Sequence, residues 1–384
     1  MDEPTGDISA PAASAPAPAD AGPKLELFDF IKESVQAATD APASADAELL
    51  FVGSKNSGKS TLVQAFLQKD EAPKPSTPLE YRYARHTVGT RPAFVANVWE
   101  LGGGMSSTAH LSELLKTVML PELLQQSVVA IVLDLSEPDA VLPSLITWLG
   151  EIRKRVEEMQ RDLCLSAEGS ATAKAVRERA EKLWTEHPDY SLSAAEPVQP
   201  IGVPIVVFAH KYDAFVQAYP EAEQQKVLFR TLRFFAHQAG AALVCSKHKD
   251  NTSKYLLRNL LGHHTFGNTK IDFEQMQSNH MKPLFVPASS DSFQAIGKPP
   301  TVPGCLSDLM ADKWQAVYQE VFPSKGRKDG PADLTMVEAE QFAEESIDTL
   351  RKQKREELMK MRKAAEFEKK MGAEMASITQ QPGS

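Results

Sequence analysis

A short loop motif near residue 50 constrains the fold more than any other feature of the sequence. Residues 53–60 read GSKNSGKS, which fits the phosphate-binding pattern G-x-x-x-x-G-K-[ST]. The apolar run LLFV precedes the motif and a helix-like run follows it. This strand–loop–helix order is the context in which such loops hold nucleotide phosphates. We therefore predict a phosphate-binding loop here rather than a turn that happens to carry a lysine.

Each part of the predicted loop has a physical task. Gly53 and Gly58 allow backbone angles that other residues resist. Successive N–H groups can then converge on phosphate oxygens, helped by the dipole of the following helix. Lys59 is expected to reach the β- and γ-phosphates, and Ser60 to ligate Mg²⁺. The cofactor-binding residues predicted in the loop are Gly53, Ser57, Gly58, Lys59, Ser60 and Thr61.

Apolar periodicity predicts alternating strands and helices after Glu48. Continuous apolar runs, which are typical of parallel strands covered on both faces, occupy 49–52, 128–135, 205–210 and 241–245. Alternating runs that suit an edge hairpin occupy 79–85 and 93–101, and a short strand is predicted within 282–288. Helical patterns occupy 58–68, 143–163, 170–186, 221–238, 252–261 and 309–322. This order predicts an α/β fold, with a mostly parallel sheet and helices on both faces.

Composition divides the chain into three parts. Residues 1–45 are predicted to be a mostly disordered tail, since its first part is Ala, Pro, Ser, Gly and Asp; a short helix is expected at 25–38. Residues 46–323 form the α/β domain, with a helical insert at about 143–187 that packs on the sheet or offers a partner surface. Residues 324–384 are a linker and a polar helix, either solvated or docked on a partner.

The string HKYD at 210–213 predicts recognition of a guanine base. It follows an apolar strand, where guanine-specific proteins carry N-K-x-D. Asp213 can accept two hydrogen bonds from the guanine edge, and Lys211 is expected to lay its stem over the base. His210 replaces the usual asparagine and cannot copy an amide that donates and accepts together. Ser246 and Lys247 lie where the last base-contacting loop is expected.

The residues that would support hydrolysis are altered. In WELGGG at 99–104, Glu100 takes the place of a metal-sensing aspartate and sets its carboxylate about 1.5 Å farther out, which Mg²⁺ tolerates poorly. Gly103 is the glycine of that motif, and Gly104 stands where active enzymes place a water-orienting glutamine. Further candidates are Thr77 as a γ-phosphate and Mg²⁺ contact, Thr87 as its rival, and Arg82, Arg85 and Arg91 as compensating charges. We assign no catalytic residue and expect GTP or GDP with Mg²⁺ to bind without useful turnover.

Charge and cysteine content exclude several other classes. A net charge of −9 argues against general nucleic-acid binding, which needs clustered positive charge. Three widely separated cysteines argue against a disulfide framework, and this favours a protein of a reducing compartment. The acidic N-terminus lacks the features of a signal peptide, and the apolar runs are too short to cross a bilayer, so we expect no membrane insertion.

A series of motifs resembles the light intermediate chains of cytoplasmic dynein 2, the motor of retrograde intraflagellar transport. In chain order they are GSKNSGKST, PKPSTPLEYRYAR, NVWELGGG, VLDLSEPD, KYDAF, LRFFAHQAGAALVCSK, DSFQAIG and WQAVYQEVFP. The resemblance covers about 46–323 and implies a Ras-like P-loop NTPase fold that serves as a motor subunit. It further implies binding to the dynein heavy chain tail, to other dynein 2 subunits and to the intraflagellar transport machinery. The implied location is the cytoplasm, the cytoskeleton and the cilium or flagellum, including the basal body.

Three functions remain open at this point. A non-catalytic motor subunit fits both the loop and the altered hydrolytic positions. A working GTPase switch requires a water-positioning group that the sequence does not show unless a partner supplies it. A P-loop kinase would need an arginine-bearing lid, and Asp213 would have no task in it.

Overall fold

A computed structural model describes most of the region from 46 to 324. The described residues are 46–69, 79–86, 94–102, 108–190, 196–247, 250–267, 275–301 and 307–324, with a few helical positions between 349 and 360. The chain divides into two compact units, Met1–Ser324 and Lys325–Ser384. The tail and short helix predicted before residue 46 lie outside the described residues.

A seven-stranded sheet organises the first unit, in the order β2-β3-β1-β4-β5-β6-β7. The strands are β1 Ala47–Gly53, β2 Leu79–His86, β3 Phe94–Leu101, β4 Ser127–Asp134, β5 Ile205–His210, β6 Ala242–Cys245 and β7 Phe285–Val286. The five inner strands run parallel, whereas β2 and β7 are antiparallel to their neighbours at the two edges. The predicted edge hairpin, the parallel core and the short final strand are therefore confirmed.

Helices cover both faces of the sheet. They are α1 Lys59–Phe66, α2 Thr108–Val118, α3 Pro138–Leu163, α4 Ala167–Lys182, α5 Tyr212–Ala218, α6 Ala222–Gln238, α7 Asn251–Phe266, α8 Phe293–Ile296 and α9 Met310–Val321. One core contains residues of α1 and α7, and the other contains residues of α2, α3, α6 and α9. Each face of the apolar sheet is thereby removed from water, which confirms the predicted fold class.

Three helices, α3, α4 and α7, begin or end several residues from their predicted bounds; α4 spans Ala167–Lys182 rather than 170–186. Helices α2, α5 and α8 were not predicted. Helix α3 begins at Pro138, five residues before the predicted start, because a proline at the first helical position loses no needed N–H. Pro143 lies inside this helix near its start, so the disruption from its ring stays local. Helix α7 extends to Phe266 and ends at Gly267, whose φ of 60° supplies the left-handed cap.

The helical insert packs on the domain itself. The side chains of Ile152, Val156 and Met159 on α3 are buried in the core, as is Val176 on α4. Arg155 donates two hydrogen bonds, of 2.7 and 3.1 Å, to the carbonyl of Met119 after α2. These contacts support the packing interpretation of the apolar stripes, and they leave the outer surface of the insert open to a partner.

The second unit is helical at the positions that the structure describes, which are Thr349, Gln353, Lys354, Glu357 and Lys360. Lys354 and Glu357 form an exposed ion pair of 2.7 Å along that helix. In the described part of both units, no helix has the length and apolar character needed to span a bilayer.

Candidate nucleotide-binding site

The loop between β1 and α1 has a backbone that only glycine can adopt at its two ends. Gly53 has φ 147°, and a Cβ there would lie 2.2 Å from the carbonyl oxygen of Val132. Gly58 has φ 95°, and a Cβ there would lie 2.3 Å from the His210 ring. Between them, Asn56 also has a positive φ of 61°. A close-packed, glycine-bent loop of this kind can present backbone N–H groups to phosphate oxygens.

Lys59 is buried and folded back onto the loop. Its Nζ donates to the carbonyls of Ser54 at 2.7 Å and Gly53 at 3.2 Å. Burial lowers the pKa of Lys59 to about 8, and the negative charge of Glu100 opposes that shift. The ammonium group therefore lies at the loop, and it would have to exchange these carbonyls for phosphate oxygens in order to hold a nucleotide.

Ser60 and Glu100 meet directly. Glu100 lies opposite Phe51 in the β1–β3 register, which brings it beside the loop. The Ser60 hydroxyl donates to Glu100 Oε1 at 2.6 Å, so the extra methylene of Glu100 does not take its carboxylate out of reach. A hydroxyl that donates its hydrogen keeps oxygen lone pairs, and hydroxyl and carboxylate oxygens suit Mg²⁺. The pair therefore fits a magnesium ion in its chemistry.

His210 connects the phosphate loop with the base-binding side of the site. The ring is buried against Gly58, as the Cβ position above shows. Its Nδ1 is 2.8 Å from the Ser246 hydroxyl, which is also buried. The Tyr212 N–H donates to the carbonyl of Ser246 at 3.2 Å. Sequence-predicted residues from three separate loops are thus brought together by one imidazole.

The Lys211 side chain contacts Asp134, which was not among the predicted site residues. Lys211 has φ 61°, and its Nζ donates to Asp134 Oδ2 at 2.5 Å. Asp213 is exposed in the first turn of α5. Lys247 extends over the Tyr212 ring, with 5.4 Å from Nζ to the ring centre. The Lys211 amine thus forms an ion pair in this structure, and the position of its stem over a base stays a prediction.

The remaining predicted positions either lie within the described part of the structure or fall outside it. Arg82 contacts Glu80 at 2.6 Å, and the Arg85 guanidinium lies 5.3 Å from the Tyr83 ring centre, both on the edge strand β2. Ser57 is buried in the loop, and its hydroxyl has no hydrogen-bond partner among the described residues. Thr61 lies in the first turn of α1. Positions outside the described residues are Thr77, Thr87, Arg91, Gly103 and Gly104.

Two groups of polar residues were missed from sequence. Asp134 ends β4 beside His210, and a carboxylate at the carboxyl end of a parallel strand was the available signal. His187, Asp189 and His237 place possible ligand atoms within 4.8 Å of one another. His237 Nε2 is 2.9 Å from Asp189, and His187 Nε2 is 2.8 Å from the carbonyl of Asp291. Burial lowers the pKa of His237, whereas its hydrogen bond to Asp189 and the charges of Asp189 and Asp291 oppose that shift. The His237–Asp189 contact joins the segment after α4 to α6.

Comparisons with known proteins place the chain in a family. The family model "Dynein light intermediate chain (DLIC)" matches residues 23–191. The human protein named cytoplasmic dynein 2 light intermediate chain 1 is 33% identical over 358 residues, which cover 89% of this chain and 97% of that protein. The human cytoplasmic dynein 1 light intermediate chain 1 is 26% identical over 264 residues, or 62% of this chain and 50% of that protein.

A solved structure agrees with the fold. The crystal structure of the conserved domain of a dynein light intermediate chain matches with a TM-score of 0.51 and 17% identity, covering 72% of this chain and 97% of that one. At 17% identity, this structural match is evidence for the fold alone. The sequence match to the human dynein 2 protein extends over nearly the whole length of that protein. The chain therefore belongs to the dynein light intermediate chain family, whose members are subunits of dynein motors.

Proposed function

We propose that this chain is a non-catalytic subunit of the cytoplasmic dynein 2 motor, which binds and stabilises the heavy chain tail during retrograde intraflagellar transport. The observation that carries the proposal is its 33% identity to a human protein of that name across 97% of that protein's length. The corresponding location is the cytoplasm, the cytoskeleton and the cilium or flagellum, including the basal body. Other dynein 2 subunits and the transport machinery are the expected partners.

We further propose that the domain holds a guanine nucleotide. Support comes from the glycine-bent loop, the buried Lys59 and the Ser60–Glu100 pair. Gly53, Ser57, Gly58, Lys59, Ser60 and Thr61 would cradle the phosphates. Around the base and the metal we assign Thr77, Glu100, Gly103, His210, Lys211, Asp213, Ser246 and Lys247, with Ser60 and Thr77 toward Mg²⁺. A nucleotide held this way stabilises the folded subunit by mass action without being consumed.

The chemistry of the altered positions supports the proposed non-catalytic role. Glycine at position 104 offers no side chain to orient an attacking water. Arg82 pairs with Glu80, and the Arg85 guanidinium lies near the Tyr83 ring, both on the edge strand β2. The role that remains is that of a folded scaffold with a retained phosphate cradle.

The experiment is co-expression of the full chain with a tagged dynein 2 heavy chain tail, followed by affinity purification. We expect stoichiometric recovery of the chain, with guanine nucleotide identified by chromatography after denaturation. Lys59→Ala should lose the nucleotide, and Lys69→Ala, which removes the same charge from an exposed site, should keep it. Failure of the wild-type chain to copurify with the tail would refute the subunit assignment, whatever its nucleotide content.

A working GTPase switch is the second candidate, and one observation favours it. Ser60 and Glu100 keep the hydroxyl–carboxylate contact that suits a magnesium ion. A single-turnover GTP assay, run with and without the heavy chain tail, separates the two functions. Acceleration of hydrolysis by the tail would support the switch and contradict the non-catalytic role.

A further inference from the structure

Asp134 occupies a fixed position beside the predicted base-binding loop. It lies opposite His210 in the β4–β5 register, at the carboxyl edge of the sheet. Its Oδ1 accepts hydrogen bonds from the Ser136 N–H at 3.0 Å and from the Ser136 hydroxyl at 2.5 Å. These contacts hold the carboxylate in place and leave Oδ2 to face Lys211.

The second oxygen binds the lysine of the HKYD string. Lys211 Nζ lies 2.5 Å from Asp134 Oδ2, and the Asp134 side chain is only 11% exposed. Lys211 is the first residue after β5, and its left-handed backbone, with φ 61°, is the conformation from which its side chain makes this contact. A lysine is a flexible cation, so its choice of partner depends on which anion or oxygen is nearest.

We infer that Asp134 is an internal competitor of the nucleotide: it holds Lys211 away from the ligand and thereby lowers the affinity of the chain for guanine nucleotides. The inference rests on the proposed nucleotide binding. A guanine nucleotide must take the lysine from Asp134 before the lysine can contact it. The Asp134 carboxylate also adds negative charge close to a site that receives a polyanion, and this opposes binding further.

A similar arrangement holds for two of the other predicted ligand-binding groups. Lys59 is bound to the carbonyls of Gly53 and Ser54, and Ser60 is bound to Glu100. Like Lys211, these two residues already have partners within the protein. Asp134 differs from the rest because it lies outside the phosphate-loop and base-recognition motifs, so it can be changed without removing a predicted ligand contact.

The test is the substitution Asp134→Asn in the full chain, which keeps a side-chain oxygen for Ser136 but removes the charge. We expect the affinity for GDP, measured by titration calorimetry, to rise about fivefold, the size of effect that loss of one partly exposed ion pair allows. Asp139→Asn is the matched control, because it makes the same change of net charge in the first turn of α3 and should leave the affinity unchanged. Unchanged or weaker binding by Asp134→Asn, or an equal gain in both variants, would overturn the inference.

A second readout does not need a nucleotide. The rate at which Lys211 is acetylated in the nucleotide-free chain, followed by mass spectrometry, should rise at least about threefold in Asp134→Asn, since the amine leaves its ion pair. An unchanged rate would show that the pair does not form in solution and would overturn the inference by itself. If the rate rises but neither the wild type nor the variant binds GDP, the proposed nucleotide binding fails, and with it the competition, while the ion pair stands.

Discussion

The charge of Lys59 depends on pH within the range in which proteins are handled. Burial lowers its pKa to about 8 in the nucleotide-free protein. Below pH 8 the amine is mostly an ammonium that can bind phosphate oxygens, whereas above pH 8 it is mostly neutral. A nucleotide selects the ammonium form, so binding at higher pH must take up a proton, and its free energy is reduced accordingly.

We predict that GDP binds about fourfold more weakly at pH 8.5 than at pH 7, the loss expected when a required group of pKa about 8 is titrated. Titration calorimetry in two buffers of different ionisation heat measures both the affinity and the proton uptake. In Lys59→Arg the charge is permanent, so the affinity of that variant should not change over this interval. A pH-independent affinity in the wild-type chain would contradict the assignment of Lys59 as a phosphate ligand.

A buried ion pair fixes the segment before α8. Arg233 Nη2 lies 2.6 Å from Asp291 Oδ1, Nε lies 2.7 Å from Oδ2, and the two side chains are 6% and 2% exposed. We predict that Asp291→Asn lowers the free energy of unfolding by about 3–5 kcal/mol, because it leaves a buried guanidinium without its counter-charge. Urea denaturation measures the loss. The partly exposed pair of Arg82 with Glu80 is the comparison: Glu80→Gln should cost less than about 1 kcal/mol.

At the scale of elements, the junction of the loop with α1 has no room for a side chain. We predict that Gly58→Ala weakens GDP binding more than tenfold and destabilises the domain, because a Cβ would meet the His210 ring at 2.3 Å with the backbone at φ 95°. Gly150→Ala is the matched control within α3, where an added Cβ meets nothing within 4 Å. That change should stabilise the protein by about 0.5–1 kcal/mol. Equal effects of the two substitutions on binding would show that the loop geometry has no part in it.

Elements were predictable where periodicity and burial act together. The parallel strands read as continuous apolar runs because both faces of the sheet are covered, and the hairpin read as alternation because β2 lies at an edge. Helix α3 begins at Pro138, five residues before the predicted start, since proline is tolerated at the first position of a helix. Local sequence rules predict where elements lie far better than where they end.

The partners of polar side chains were less predictable than the elements. The loop glycines were predictable because their motif has a local cause, namely backbone angles that other residues resist. In the structure Gly53 and Gly58 both have positive φ values, as the motif requires. The ion pair of Lys211 with Asp134 joins residues 77 positions apart, and the His237–Asp189 contact joins residues 48 apart. Such contacts depend on which strands and helices become neighbours, so no single segment of the sequence encodes them.

At the scale of the whole molecule, family membership and site chemistry agree. The chain belongs to a family of dynein subunits, and its sheet presents the phosphate loop, the Ser60–Glu100 pair and the HKYD string at one edge. The Gly104 position supplies no side chain for water activation. A motor subunit can use a bound nucleotide as part of its folded structure, and its contribution to the complex then does not require turnover.

The most direct test is the consumption of GTP by the highly purified full chain under multiple-turnover conditions with Mg²⁺. The account predicts that guanine nucleotide remains bound and is recovered essentially unhydrolysed after several hours, with no difference between the wild type and Lys59→Ala in phosphate release. Sustained release of many equivalents of phosphate by the wild-type chain, abolished by Lys59→Ala, would contradict it.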